Sequence, residues 1–399
     1  MGSLRACYVA RRILRPPIEG HHIASKRIVE AAVLSGVKAT VITTEVDKET
    51  TEIPENWVVL NSRISPPIHF SFLPSIFFAL DDLLTSIDIT LNIKFSKSDI
   101  VHVLNVNKES YFLAHHILRV KEPLLLHFYH SPYVLNDDIF LIRKIALRAG
   151  LYGRLFDNHV LTVNLSMLRF FTERLGVDSE RVHYAPYPVD TNRFKPFKNR
   201  DYLREKYGFP LDRPILAFFG SLTAVRGIFD LVKAFQRVQN QFPETMLYIS
   251  HPPTESEDIQ LRYLHQLLRD LELHKNVIIQ GPCINIEEMF NLVDIIVLPF
   301  VRPYWVDPPL VLLEAMSTGA TVITTPTGSI SEIAKDNENA ILTEPNSTVS
   351  LANHMVELLE NPKTTRKIGR EARSTIIQKY SYEIFGKRLR KIYDSVLAG

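Results

Sequence analysis

Cysteine is nearly absent from this 399-residue sequence, which has only Cys7 and Cys283. Two thiols cannot build a disulfide framework or a cysteine-rich metal site, and a reducing compartment is the natural reading. Apolar runs long enough to span a bilayer, about 18 residues, do not occur. The opening residues, MGSLRACYVARRILRPPIEG, lack the sustained apolar core of a signal peptide, so a cytoplasmic chain is expected. An excess of charge is missing too: 46 Lys and Arg stand against 44 Asp and Glu, a net charge of +2. The cations form no long run and no stripe interleaved with aromatics, which counts against nucleic acid as a partner.

What is present is the composition of a folded protein, with 46% hydrophobic and 23% charged residues. At roughly 150 residues per domain the length points to two domains. One segment stands out as apolar and aromatic: FSFLPSIFFAL, Phe70 to Leu80. It reads first as buried core. The other reading is lipid contact, which leaves room for a peripheral association with the inner face of a membrane.

In the N-terminal half, β-rich runs alternate with helical ones: RACYVA, then Ile23 to Leu34, KATVITTEV, DIVHVLNV, PLLLHFYH and HVLTVN. That alternation predicts a parallel sheet with crossover helices, whose ligands sit at the carboxyl ends of the strands. A Pro-rich and charged connector follows, and then a second series. ILAFFG leads to a helix with Ile228, Leu231, Val232, Phe235 and Val238 on one face, and TMLYIS to an amphipathic helix from Ile259 to Leu271. NVIIQG, a short helix around Ile286 to Leu292, DIIVLPF, a helix through Leu313 to Ser317, and ATVITT complete it. The expectation is two doubly wound α/β domains in tandem facing a central cleft, 1–193 and 194–378, and a last helix over 379–399. Its apolar Ile384, Leu389, Ile392 and Val396 must be buried, but the pattern does not say against which domain.

Two stretches carry chemistry. In FFGSLTAVRGIFDLVKAF a strand ends at Gly220, a turn follows, and a helix opens near Arg226 and Gly227, so free amides and a guanidinium meet where a phosphate can dock. In DIIVLPFVRPYWVDPPLVLLEAMSTGATVITTPTGSISEI a strand is followed by a loop with Asp307 and two prolines, then by a helix beginning at Leu310 and Val311. The positive end of that helix favours a diphosphate. Glu314 sits one turn later in an apolar run, where a carboxylate accepting two hydrogen bonds from a ribose diol is one explanation.

These stretches resemble the G-R-x-x-x-x-K-G and E-x7-E elements of the family 4 glycosyltransferases, the second followed by that family's E-A-M-x-x-G and G-G-x-x-E-I runs. APYPVDTNRFKP, Ala185 to Pro196, is similar to the family's P-N-G-V-D-x-x-x-F-x-P linker, and SDIVHV, Ser98 to Val103, to its D-x-V-H strand. The order and spacing agree over nearly the whole chain. The resemblance implies the GT-B fold and transfer of a hexose-type sugar from a UDP- or GDP-sugar to a glycan or lipid-linked acceptor. It also implies retention of anomeric configuration and no cofactor or bound metal. Arg226 takes the position of the Lys that neutralises the donor phosphates, and Glu314 that of the Glu on the nucleotide ribose. Gly20 takes the place of the glycine-rich turn, and His130, with His127 as fallback, that of the His that reaches the donor sugar.

Two positions depart from the pattern. Ser221, after Gly220, stands where the family has the Arg of G-R, leaving one cation fewer beside the diphosphate. Val306 stands where the first Glu of E-x7-E belongs, and the adjacent Asp307 supplies a catalytic carboxylate there only if the Asp-Pro-Pro loop turns it inward. The departures keep open a nucleotide-sugar-binding subunit with weakened catalysis; another GT-B enzyme, such as a sugar epimerase, is the further alternative.

Overall fold

The structure, a computed structural model, describes residues 4–10, 20–43, 57–61, 86–93, 96–104, 120–129, 157–252, 257–283, 285–303 and 307–398. The apolar segment Phe70 to Leu80, His130 and Val306 lie outside the described residues. The chain divides into two compact units, Met1–Pro188 with Tyr382–Gly399, and Val189–Ser381. The expected boundaries, 193/194 and 378/379, thus stand beside 188/189 and 381/382.

The first unit holds a seven-stranded sheet in the order β3-β2-β1-β4-β5-β6-β7. Its strands are β1 (Arg5–Val9), β2 (Lys38–Thr43), β3 (Trp57–Asn61), β4 (Ile100–Val103), β5 (Leu124–Phe128), β6 (His159–Thr162) and β7 (Val182–Tyr184), every pair parallel. Tyr8 lies between Val41 and His102 in register. The central strands are buried on both faces, as the unbroken apolar runs of parallel sheets require. Helix α1 (Gly20–Leu34) follows β1, and the short α2 (Leu165–Arg169) follows β6.

The helix whose destination the sequence pattern leaves open belongs to this unit. The C-terminal Tyr382–Ala398 buries Phe385, Leu389, Ile392, Tyr393 and Val396. It packs along α1, close enough that a Cβ on Gly386 would collide with the Ala31 carbonyl and Ser35. Polar contacts fix its register: the Tyr382 hydroxyl donates to Glu30 at 2.6 Å, and the Tyr393 hydroxyl lies 2.8 Å from His102 Nδ1 and 3.0 Å from the Tyr8 hydroxyl.

The second unit holds a six-stranded parallel sheet in the order β10-β9-β8-β11-β12-β13. The strands are β8 (Ile215–Phe219), β9 (Met246–Ser250), β10 (Val277–Gln280), β11 (Ile295–Leu298), β12 (Thr321–Thr324) and β13 (Ile341–Leu342). The strand order reverses between β8 and β11, and in such sheets the crevice beyond the strand ends at that reversal receives the ligand. The helices are α3 (Arg200–Tyr207), α4 (Ile228–Gln239), α5 (Glu257–Asp270), α6 (Ile286–Leu292), α7 (Leu310–Ser317), α8 (Ile330–Ile333), α9 (Thr348–Glu360) and α10 (Pro362–Tyr380), which makes the C-terminal helix α11. Helix α4 buries Ile228, Leu231, Val232, Phe235 and Val238, the expected face. Helix α5 buries Leu264 and Leu268 and leaves Ile259 and Tyr263 in solvent. Where the unit begins and ends it closes on itself: Val189 N–H donates to the Tyr380 carbonyl at 2.8 Å, and Val189 bridges to Ser381.

Candidate functional site

The site is built on the segments that leave β8 and β11. After Phe219 the chain turns at Gly220, whose N–H donates to the Ser250 carbonyl at 3.0 Å, and Ser221 follows, half-buried. A single 3-10 turn, Ala224–Arg226, precedes Gly227 at φ 73°, the N-cap residue of α4. A side chain at Gly227 would collide with the Pro299 carbonyl, so glycine is required both by that close approach and by the left-handed backbone. Val301 N–H donates to the Val225 carbonyl at 2.9 Å. These two contacts seat the 224–227 turn on the segment after β11.

Arg226 is the product of that seating. Its guanidinium carbon lies 5.1 Å from the centroid of the Phe300 ring. A cation over an aromatic face is attracted by the ring quadrupole, which helps to orient the guanidinium. Phe300 is in turn fixed through its carbonyl, which accepts from the Thr325 hydroxyl at 2.6 Å, while the Thr324 hydroxyl donates to the Leu298 carbonyl at 2.9 Å. Sequence reasoning singled out Arg226 but not Phe300, Thr324 or Thr325. In LPF and ITT they read as ordinary strand ends, and only the tertiary contact gives them a role.

Leu310 opens α7 behind Pro309, which caps the helix with no side-chain hydrogen bond. The amides of Leu310 and Val311 are therefore not taken by a capping side chain, as an anion site needs. Glu314 is 7% exposed on that helix, among Leu312, Leu313, Ala315 and Met316, all fully buried. Asp307 is 2% exposed. Its carboxylate accepts from the Ser329 N–H at 2.9 Å and the Ser329 hydroxyl at 2.8 Å. Burial raises its pKa and the Ser329 bonds oppose the rise. Gly328, at φ 57°, makes room: a Cβ there would come 2.7 Å from the Asp307 carboxylate. The Asp307 contacts thus tie the loop before α7 to the loop before α8.

The remaining expected positions lie in the first unit. Gly20 is the first residue of α1. His127 is fully buried in β5: its Nδ1 lies 3.1 Å from His102 Nε2, and its ring stacks on Tyr129 at 4.6 Å. His127 therefore belongs to a buried network with His102, Tyr393 and Tyr8. Among the described residues no three His, Cys, Asp or Glu side chains gather as a metal-holding set. Nor is any helix of these residues long and apolar enough to cross a membrane. Burial pushes the thiol of Cys7 up to about 12 and that of Cys283 to about 11, so neither is a reactive thiolate at neutral pH.

Residues 199–375 match the profile of the family Glycosyl transferases group 1. Over 195 residues the chain is 25% identical to N-acetyl-alpha-D-glucosaminyl L-malate synthase of Bacillus anthracis, covering 49% of each chain. The chain spans between about half and two thirds of the length of the first curated relatives it matches. Among solved structures, a glycosyltransferase from Rickettsia africae superposes with a TM-score of 0.79 at 18% identity, covering 100% of this chain and 99% of that one. HepE from Anabaena, solved in complex with UDP and glucose, superposes at 0.73 and 18% identity, covering 98% of this chain and 100% of that one. The chain thus has the GT-B fold, and within its second unit residues 199–375 are similar to the glycosyl transferases group 1.

Proposed function

We propose that the protein is a retaining glycosyltransferase of the family 4 type, moving a hexose-type sugar from a UDP- or GDP-sugar to a glycan or lipid-linked acceptor. One observation carries the reading. On the segments that follow β8 and β11 stand a guanidinium held over an aromatic ring, a helix start with no side-chain cap, and a buried carboxylate one turn further on. A nucleoside diphosphate presents the matching chemistry, two anionic phosphates and a ribose diol. The complex of HepE with UDP and glucose supports the same donor class.

In this reaction the sugar–phosphate bond lengthens toward an oxocarbenium-like state. Arg226 and the amides of Leu310 and Val311 stabilise the charge that grows on the leaving diphosphate. With retention, the departing phosphate accepts the proton of the attacking hydroxyl on the same face of the sugar, so no dedicated protein base is needed. Glu314 holds the ribose. Gly220 and Ser221 form the turn beside the phosphates. Asp307, bonded to Ser329, holds the loop before α7. The protein works in the cytoplasm, with the acceptor reached in solution or at the inner face of a membrane.

A thermal-shift panel with UDP, GDP, ADP and their sugars tests the reading, because a ligand bound only by the folded state raises the melting temperature by mass action. The expected result is a selective rise with one nucleotide and its sugar. No shift with any of them would sink the proposal. The absence of Arg at Ser221 favours one second reading, a binding subunit with weak catalysis, which would show the shift but no transfer to any acceptor.

A further inference from the structure

We infer that Arg373 is a positioning residue for the nucleotide site, holding helix α7 and the entry segment 191–194 together as one body; the nucleotide part of this inference rests on the function proposed above. Arg373 lies in α10, and its guanidinium spans two separate pieces of chain. One nitrogen donates to the Phe194 carbonyl at 2.6 Å and to both the carbonyl and the hydroxyl of Ser317; the other donates to the Thr191 carbonyl at 3.1 Å. Ser317 closes the triangle, its hydroxyl donating to the Phe194 carbonyl at 2.7 Å. Ser317 is the last residue of α7.

The chemistry of the side chain suits the task. A helix C-terminus is the negative end of the macrodipole and favours a cation. A rigid planar fork reaches carbonyls in different directions, which a lysine ammonium on a flexible stem does not do equally well. The fork reaches them because α10 approaches the end of α7 closely. A Cβ on Gly369 would collide with the Gly319 carbonyl, and the Thr321 hydroxyl donates to the Thr365 carbonyl beside it.

The other end of α7 carries the Leu310 and Val311 amides, with Glu314 between. Eight helical residues extend only about 12 Å, so a tilt set at Ser317 is felt at Leu310. Displacements of the order of 1 Å are enough to weaken a positioned site severely. Donor occupancy and the conformation of 191–194 are thereby linked, and a ligand that orders one orders the other.

The test compares wild type, Arg373→Ala and Arg373→Lys by hydrogen–deuterium exchange and by calorimetric titration with UDP, GDP and ADP. In Arg373→Ala, amides of 191–194 and 310–317 should exchange faster together by about tenfold, with α9 unchanged. The affinity for the bound nucleotide should fall about tenfold, a difference of about 1.4 kcal/mol. Arg373→Lys should fall between. Nucleotide should protect 191–194 in the wild type but not in Arg373→Ala, an effect that a merely structural role would not produce. Acceleration in only one of the two segments, uniform acceleration across the unit, or equal nucleotide affinity would overturn the inference. A wild type that binds none of the three nucleotides would instead overturn the nucleotide reading, while the exchange comparison, which needs no ligand, still decides whether Arg373 couples the two segments.

Discussion

The guanidinium of Arg226 lies over the Phe300 ring, which helps to orient its charge. In the proposed reaction, replacing it with alanine removes positive charge from beside the leaving diphosphate, and Arg226→Ala should lower transfer turnover by about 10^2 or more. Turnover is to be followed by release of the nucleotide, and an unchanged rate would remove Arg226 from the reaction. Glu314 calls for a different measurement, because its proposed role is ribose binding. Glu314→Gln keeps the shape of the buried side chain but loses the ionised acceptor, so calorimetry should record weaker nucleotide binding with the melting temperature nearly unchanged. Equal affinity would argue against the ribose contact. Both residues were legible because the sequence put them where their type is unusual: an Arg between a strand and a helix, a Glu in LVLLEAM. Phe300 was not, since an aromatic in a buried run needs no special reason.

At the scale of the element, β6 and β7 carry a pair of imidazoles. His159 Nδ1 lies 2.9 Å from His183 Nε2, and the rings stack at 5.1 Å. Burial lowers both pKa values, helped at His159 by the charge of Arg181 and at His183 by His159, so that His183 falls to about 4. A folded-state pKa below the unfolded value of 6.5 means that the unfolded chain binds more protons in between. The stability from this pair is fully present above pH 6.5 and should be lost progressively as pH falls toward 4. Urea midpoints across that range should fall more steeply for the wild type than for His159→Gln with His183→Gln, and parallel curves would contradict the assignment. Neither β7, three residues long, nor β13, two residues long, stood out in the sequence, because so short a strand has too few positions to show a period. The faces of α4 and α11 were readable for the opposite reason. What α11 packs against was not, since an apolar face records that it is buried and leaves its partner open.

At the scale of the whole molecule, the first unit depends on the far end of the chain. Ending the chain at Ser381 removes Phe385, Leu389, Ile392, Tyr393 and Val396 from its core and takes Tyr393 from His102 and Tyr8. Each large buried side chain contributes roughly 2–5 kcal/mol. Together they contribute about 10–25 kcal/mol, as much as or more than the roughly 5–15 kcal/mol that holds a typical domain. The truncated protein should therefore lose the cooperative melting of the first unit while residues 189–381 keep theirs, a change from two calorimetric transitions to one. Two surviving transitions would contradict this. The bridge from Val189 to Ser381 has a separate consequence. A block of chain that leaves and returns at one point can be lifted out and replaced by another of like build without stretching its host, so one half of such a protein is free to diverge while the other is inherited unchanged.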